Sequence, residues 1–245
     1  MEKEILSKMA SEINSHREIL NRLMMRSNIQ ELELNLLRSH SDSKSQYSQD
    51  LFVLKQTDHK TGGFFVEFGA CDGIAGSNTY ILENKFEWNG ILAEPCRKWW
   101  SSLQKNRRSN VDFRCVYSES NLVLDFTESI NSMLSTLTTY QNSDNHSENR
   151  KIGTQKQYPV VTVSLNDLLN FYDAPKEIDY ISIDTEGSEY EILSTFDFTK
   201  YKVKIITVEH NWTNNRQKIF DLLHANGYEQ VHDNATMCDD WYVLK

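Results

Sequence analysis

From residue 46 onward, short apolar runs alternate with longer amphipathic stretches, and most of the runs end at a glycine or an acid. Phe64-Phe65-Val66-Glu67-Phe68 runs into Gly69, and Ile91-Leu92-Ala93 precedes Glu94-Pro95. Asp179-Tyr180-Ile181-Ser182-Ile183 ends at Asp184, and Val203-Lys204-Ile205-Ile206-Thr207-Val208 ends at Glu209. Val111-Asp112-Phe113-Arg114-Cys115-Val116 is a further strand candidate. Helical patterns over 77–86, 96–106, 164–171, 187–196 and 214–226 separate most of these runs, and Gly227 supplies a C-terminal stop for the last. Such alternation folds as an α/β, doubly wound, mostly parallel sheet with helices on both faces. Residues 228–231 and 241–244 read as a closing antiparallel pair, a covering hairpin.

The first 44 residues are of another kind. Leu6, Met9, Ile13, His16, Leu20 and Leu23 keep helical spacing, and Ile29, Leu32 and Leu36 resume it in another register. This arm either self-associates, giving a homo-oligomer, or docks on the body; the broken repeat leaves both open. A small polar linker over 39–45 precedes the domain 45–245. Residues 127–157 carry a polar stretch around Gln141-Asn142-Ser143-Asp144-Asn145-His146, too long for a simple turn, and read as a mobile substrate-side loop or as disorder.

Composition removes several classes. The balance of 26 Lys+Arg against 35 Asp+Glu gives a net charge of −9, a prior against nucleic-acid partners, which need a basic footprint. No apolar run approaches a membrane span, and Met1-Glu2-Lys3-Glu4 is unlike a signal peptide. Four cysteines (Cys71, Cys96, Cys115, Cys238) without CxxC spacing point to reduced thiols and a cytoplasmic protein.

Of nine glycines, five fall between Gly62 and Gly76, so permissive backbone gathers at one loop. There Val66-Glu67-Phe68-Gly69-Ala70-Cys71-Asp72-Gly73 runs from a strand into a turn. A dinucleotide fingerprint would read GxGxxG. Here Cys71 takes the middle position and Glu67 and Asp72 flank the turn, an arrangement that repels a pyrophosphate and suits a sulfonium cation. Glu94, about 20 residues on, sits where an acid accepts hydrogen bonds from ribose hydroxyls. Asp184-Thr185-Glu186-Gly187-Ser188-Glu189 gathers three acids at one strand end, more than the dipole preference of a helix start explains. Glu209-His210-Asn211 closes the next strand, with His210 a general-base candidate.

Together these residues resemble the FkbM-type family of S-adenosylmethionine-dependent methyltransferases. The resemblance runs from Ser45-Gln46-Tyr47-Ser48-Gln49-Asp50-Leu51 through the glycine turn, the Asn78-Thr79 pair, Gly90-Ile91-Leu92-Ala93-Glu94-Pro95 and the 184–189 motif to Trp241-Tyr242-Val243, leaving out the N-terminal arm. It implies a class I, Rossmann-like, seven-stranded sheet and O-methylation of a hydroxyl on a sugar, glycan or similar acceptor, with S-adenosyl-L-methionine as cofactor. It also implies cofactor contacts from Gln49, Glu67, Gly69, Ala70, Asp72, Asn78, Thr79 and Asp184. Glu94 with Pro95 would serve the ribose, and Ser118 and Glu119 the adenine.

In-line transfer to an alcohol needs a base. His210 or Glu209 is the first choice and Asp184 or Glu186 the second, while Glu186, Glu189 and Asn211 are expected on the acceptor side. Asp184, Glu209 and Asn211 also offer hard oxygen ligands for Mg²⁺. Two other classes remain open: a nicotinamide-dependent oxidoreductase, disfavoured by Cys71 and the acids, and a non-catalytic Rossmann-like scaffold. The basic run Arg97, Lys98, Lys105, Arg107 and Arg108 reads as a surface helix. His232, Cys238, Asp239 and Asp240 read as a turn between closing strands rather than a metal site.

Overall fold

The computed structural model describes residues 42–153, 155–232 and 236–245, so the helix expected over 1–39 lies outside the described residues. Ser45, expected in the linker, is buried and forms an isolated parallel bridge with Gly76.

Five-residue strand β1 (Phe64–Phe68) sits at the centre of a seven-stranded sheet of order β10-β11-β9-β8-β1-β2-β3. Its other strands are β2 (Asn89–Ala93), β3 (Asn110–Asp112), β8 (Glu177–Ile183), β9 (Lys202–Glu209), β10 (Tyr228–Val231) and β11 (Asp239–Leu244). Pairing among β3, β2, β1, β8 and β9 is parallel, while β11 runs antiparallel between β9 and β10. The closing pair therefore extends the sheet rather than covering it. The order in which successive strands join the sheet reverses between β1 and β8, the crevice where open α/β sheets bind ligands.

Alternation along each strand builds two cores. Val66, Phe68, Ile91, Ile181, Ile183, Ile206 and Val208 face α5 (Leu165–Phe171), α6 (Glu189–Ser194) and α7 (Asn215–Ala225). Phe65, Leu92, Tyr180 and Ile205 face α1 (Gln49–Gln56), α2 (Tyr80–Phe86) and α3 (Trp100–Asn106). Burying each such side chain contributes about 1.5–3 kcal/mol, and helices on both faces account for the near-continuous apolar runs.

Two further expectations change. The single strand expected over 111–116 is broken, because Asp112 accepts both the Arg114 backbone N–H, at 2.8 Å, and its guanidinium. β3 thus stays in the main sheet, and β4 (Cys115–Tyr117) leaves for a second sheet of order β4-β7-β5-β6. Nor is 127–157 one irregular loop. β5 (Val123–Glu128) pairs antiparallel with β7 (Lys156–Ser164), β6 (Thr136–Leu137) adds to the edge, and two 3₁₀ turns and α4 (Ser147–Arg150) fill the connection. Among the described residues no helix is long and apolar enough to cross a membrane.

Candidate active site

Parallel register brings the strand ends together. Phe68 lies opposite both Ala93 and Ile183, and Ile183 opposite Val208, so Gly69, Glu94, Asp184 and Glu209 emerge along one edge. They line a cavity of about 1040 Å³ together with Tyr47, Glu186, Asn211, Trp212 and Cys238.

Gly69 has φ +72°, and a Cβ there would stand 2.0 Å from the Asp184 carbonyl oxygen, so only glycine fits where the ends of β1 and β8 touch. Beyond it the turn is braced from below. Glu67 accepts the Asn78 N–H at 2.6 Å and the hydroxyls of Ser77 and Thr79 at 3.0 and 2.5 Å. Arg107, wholly buried at the end of α3, donates to Gly73 O, Ser77, Thr79 and Glu83. Asp72 accepts the N–H groups of Ile74 and Ala75, closing the loop on itself. Glu67, Ala70, Asp72 and Thr79 thus shape the turn without lining the cavity, and Arg107 is not the surface residue its neighbours suggested.

Glu94 is fixed from both sides: Oε2 accepts the Cys71 N–H at 2.8 Å and Oε1 the Cys96 N–H at 2.7 Å. Burial pushes its pKa up to about 7, and these N–H bonds oppose the rise. Pro95 lines the cavity beside it. From the other side, Ser45 bonds both Gln49 and Asn78, and Asn78 reaches Ser182 at 2.9 Å. Gln49 reaches Asp239 of β11 at 2.6 Å. Gln49 and Asn78 therefore tie the 45–50 segment over the turn.

Asp184, Glu186 and Glu209 each offer an oxygen within 4.8 Å of the others. Burial, followed by neighbouring acids, raises Asp184 to about 7 and lifts Glu186 and Glu209 well above the carboxylate range. Arg150 opposes this at Glu186: its buried guanidinium pairs with Glu186 and Asp144 and donates to Leu134 O at 2.8 Å. The polar segment around 141–150 thus closes against the acids through one arginine. Glu189 is buried below, where its Oε1 accepts the N–H groups of Thr185 and Gly187; it braces the turn and does not line the cavity.

Three more expected residues stand outside the cavity lining. His210 points away from the cavity: Nδ1 accepts the Trp212 N–H at 3.0 Å and Nε2 lies 3.6 Å from Asp240. Ser118 is half-buried and Glu119 exposed, and neither lines the cavity, whereas Cys115 and Val116 do. All four cysteines are free. Sequence reasoning placed Arg107 on a surface helix and Asp239 in a turn, whereas Arg107 is buried and Asp239 opens β11, and it passed over Arg150 and Trp212. Only for Asp239 was there a signal, an acid on the last strand beside one that already ends at Glu209.

The described residues that line it include the carboxylates of Glu94, Asp184, Glu186 and Glu209 and no Lys or Arg. Such a wall fits a cationic ligand and disfavours a pyrophosphate, as a sulfonium cofactor requires.

The model of the Methyltransferase FkbM domain matches residues 67–230. No curated protein matches the chain. Similar solved structures include precorrin-6y C5,15-methyltransferase from Geobacter metallireducens, with 12% identity, 79% of this chain and 85% of that chain covered, and a TM-score of 0.41. A putative RNA methyltransferase from Pyrococcus horikoshii has 9% identity, coverage of 82% and 84%, and a TM-score of 0.39. The human methyltransferase 10 domain containing protein has 13% identity, coverage of 89% and 94%, and a TM-score of 0.41. At these scores the likenesses add nothing to the strand order itself.

Proposed function

This chain belongs to the FkbM methyltransferase family, and we propose that it methylates a hydroxyl of a sugar, glycan or similar small-molecule acceptor. It is an S-adenosylmethionine-dependent methyltransferase. When bound, the cofactor supplies an electrophilic methyl group on a sulfonium centre. Glu94 would take the ribose hydroxyls, Gly69 would let the backbone approach, and the 45–50 segment would cover the site.

The observation that carries the reading is the carboxylate wall at the ends of β8 and β9. An alcohol is a weak nucleophile at neutral pH, so its proton must leave to a positioned base. Glu209 is the best placed: it lines the cavity, is 7% exposed, and its Oε2 has no hydrogen-bond partner among the described residues. Asp184 stands beside it as the alternative. A nearby cation stabilises the ionised carboxylate, so the base is generated when the cofactor is in place. The net charge of −9 supports an acceptor other than nucleic acid.

A second reading adds a divalent ion. Asp184, Glu186 and Glu209 come together as three oxygen donors, with Glu186 in the place expected for Asn211, and that set suits Mg²⁺. Activity lost in EDTA and restored by Mg²⁺ would select it; activity retained in chelator would remove it.

The test of the main reading is transfer of a tritiated methyl group from the cofactor to a panel of methyl glycosides. Glu209→Gln should retain S-adenosylhomocysteine binding and lose about 10²–10⁴-fold in kcat. Full turnover by that variant would contradict Glu209 as base.

A further inference from the structure

The cavity lining just beyond the end of β9 holds a feature that methyl transfer itself does not use. Trp212 lines the cavity with 55% of its surface exposed. Asn211 and Trp212 have φ values of +42° and +54°, two consecutive residues with side chains in the left-handed region. Backbone held there is strained, and such strain persists only where its surroundings hold it.

What holds it is His210. The His210 and Asn211 N–H groups both donate to Cys238 O, at 2.7 and 3.3 Å, and the Thr213 N–H donates to His210 O. His210 Nδ1 accepts the Trp212 N–H, and the imidazole meets the indole edge-on at 5.8 Å between ring centroids. Behind it Asp240 faces Nε2 and takes two bonds from Arg216, at 2.9 and 2.7 Å. The result is a rigidly mounted indole presented to open space. Met133 and Ile152, 44% and 66% exposed, share the cavity lining with it, as do the polar groups of His146, Asn149 and Asn211.

An apolar plane that shares its cavity with hydrogen-bonding groups suits a ring that has a C–H face and polar edges. The cavity volume of about 1040 Å³ is at the upper end of the roughly 300–1,000 Å³ of a single small-molecule site, leaving room for an acceptor beside the cofactor. We propose that Trp212 is the stacking platform for a pyranose ring of the acceptor, and that His210 is a positioning residue that mounts it without touching the acceptor. The proposal rests on the methyltransferase reading and extends it to a specific wall of the same cavity.

The experiment uses the full chain saturated with S-adenosylhomocysteine, whose binding is first measured by calorimetry. Methyl α-pyranosides of glucose, galactose, mannose, rhamnose and fucose are then titrated while tryptophan emission is followed. At least one should give a saturable change that Trp212→Phe abolishes. Trp212→Ala should raise KM for that glycoside tenfold or more and leave S-adenosylhomocysteine affinity within twofold. His210→Ala should raise the same KM, and His210→Asn, which keeps an acceptor for the Trp212 N–H, should restore it with kcat near the wild-type value.

Loss of kcat in His210→Asn at unchanged KM would make His210 the base and overturn its positioning role. Normal S-adenosylhomocysteine binding with no pyranoside response would overturn the platform and leave the methyltransferase reading intact. Failure to bind S-adenosylhomocysteine would overturn both.

Discussion

Gln49 donates its side-chain amide to the Asp239 carboxylate at 2.6 Å, joining α1 to β11 across 190 residues of sequence. This bond fastens the N-terminal segment over the site, and it opposes the burial that lifts Asp239 to about 7. Gln49→Ala should therefore destabilise the protein by about 1–3 kcal/mol, the cost of leaving a buried acceptor unmet. It should also weaken S-adenosylhomocysteine binding. Denaturant unfolding and calorimetry measure the two effects, and an unchanged affinity would show that the segment does not cover the cofactor.

Glu94→Gln separates binding from stability. Its pKa rises from 4.5 to about 7 on folding, so the unfolded chain ionises first as pH increases. That destabilises the folded state progressively between those values and by a constant amount above them. Wild-type protein without cofactor should lose stability relative to Glu94→Gln as pH rises through this window. Loss of an ionised acceptor should weaken cofactor binding tenfold or more, about 1.5–3 kcal/mol for a charge-assisted bond. Melting curves across the window and a binding titration check both.

Arg107→Met probes the brace under the turn. Arg107 is 0% exposed and pairs with Glu67 and Glu83, themselves 4% and 1% exposed. Removing one partner from a buried ionic cluster costs about 3–5 kcal/mol. Unfolding in urea should show this loss, and a change below 1 kcal/mol would mean that solvent or another cation replaces the guanidinium.

The site edge was legible because parallel strands buried on both faces read as apolar runs, and their last residues stand out as acids or glycine. Gly69, Glu94, Asp184 and Glu209 needed no more than that. The second sheet was not legible. β5 carries exposed Val123 and Asp125, and β7 begins with exposed Lys156 and Gln157 and contains Pro159, so neither shows a clean period. Arg107 lies among exposed basic residues, and only the convergence of β1 and α2 supplies its acids. His210 was placed at the right strand end, but backbone direction after β9 turns its ring toward Asp240. Strand position predicts which edge a residue reaches and leaves open where the side chain goes after the last ladder bond.

The most direct test of the carboxylate wall is calorimetry of S-adenosylmethionine and S-adenosylhomocysteine binding near pH 7 in two buffers of different ionisation enthalpy. Asp184 and Glu94 have pKa values pushed up to about 7, so each is partly protonated there, and a cation placed beside them must expel protons. The sulfonium cofactor should release protons on binding, whereas the neutral thioether product should release fewer. Equal proton counts for the two ligands, or no binding of either, would contradict the assignment of this edge as the sulfonium site.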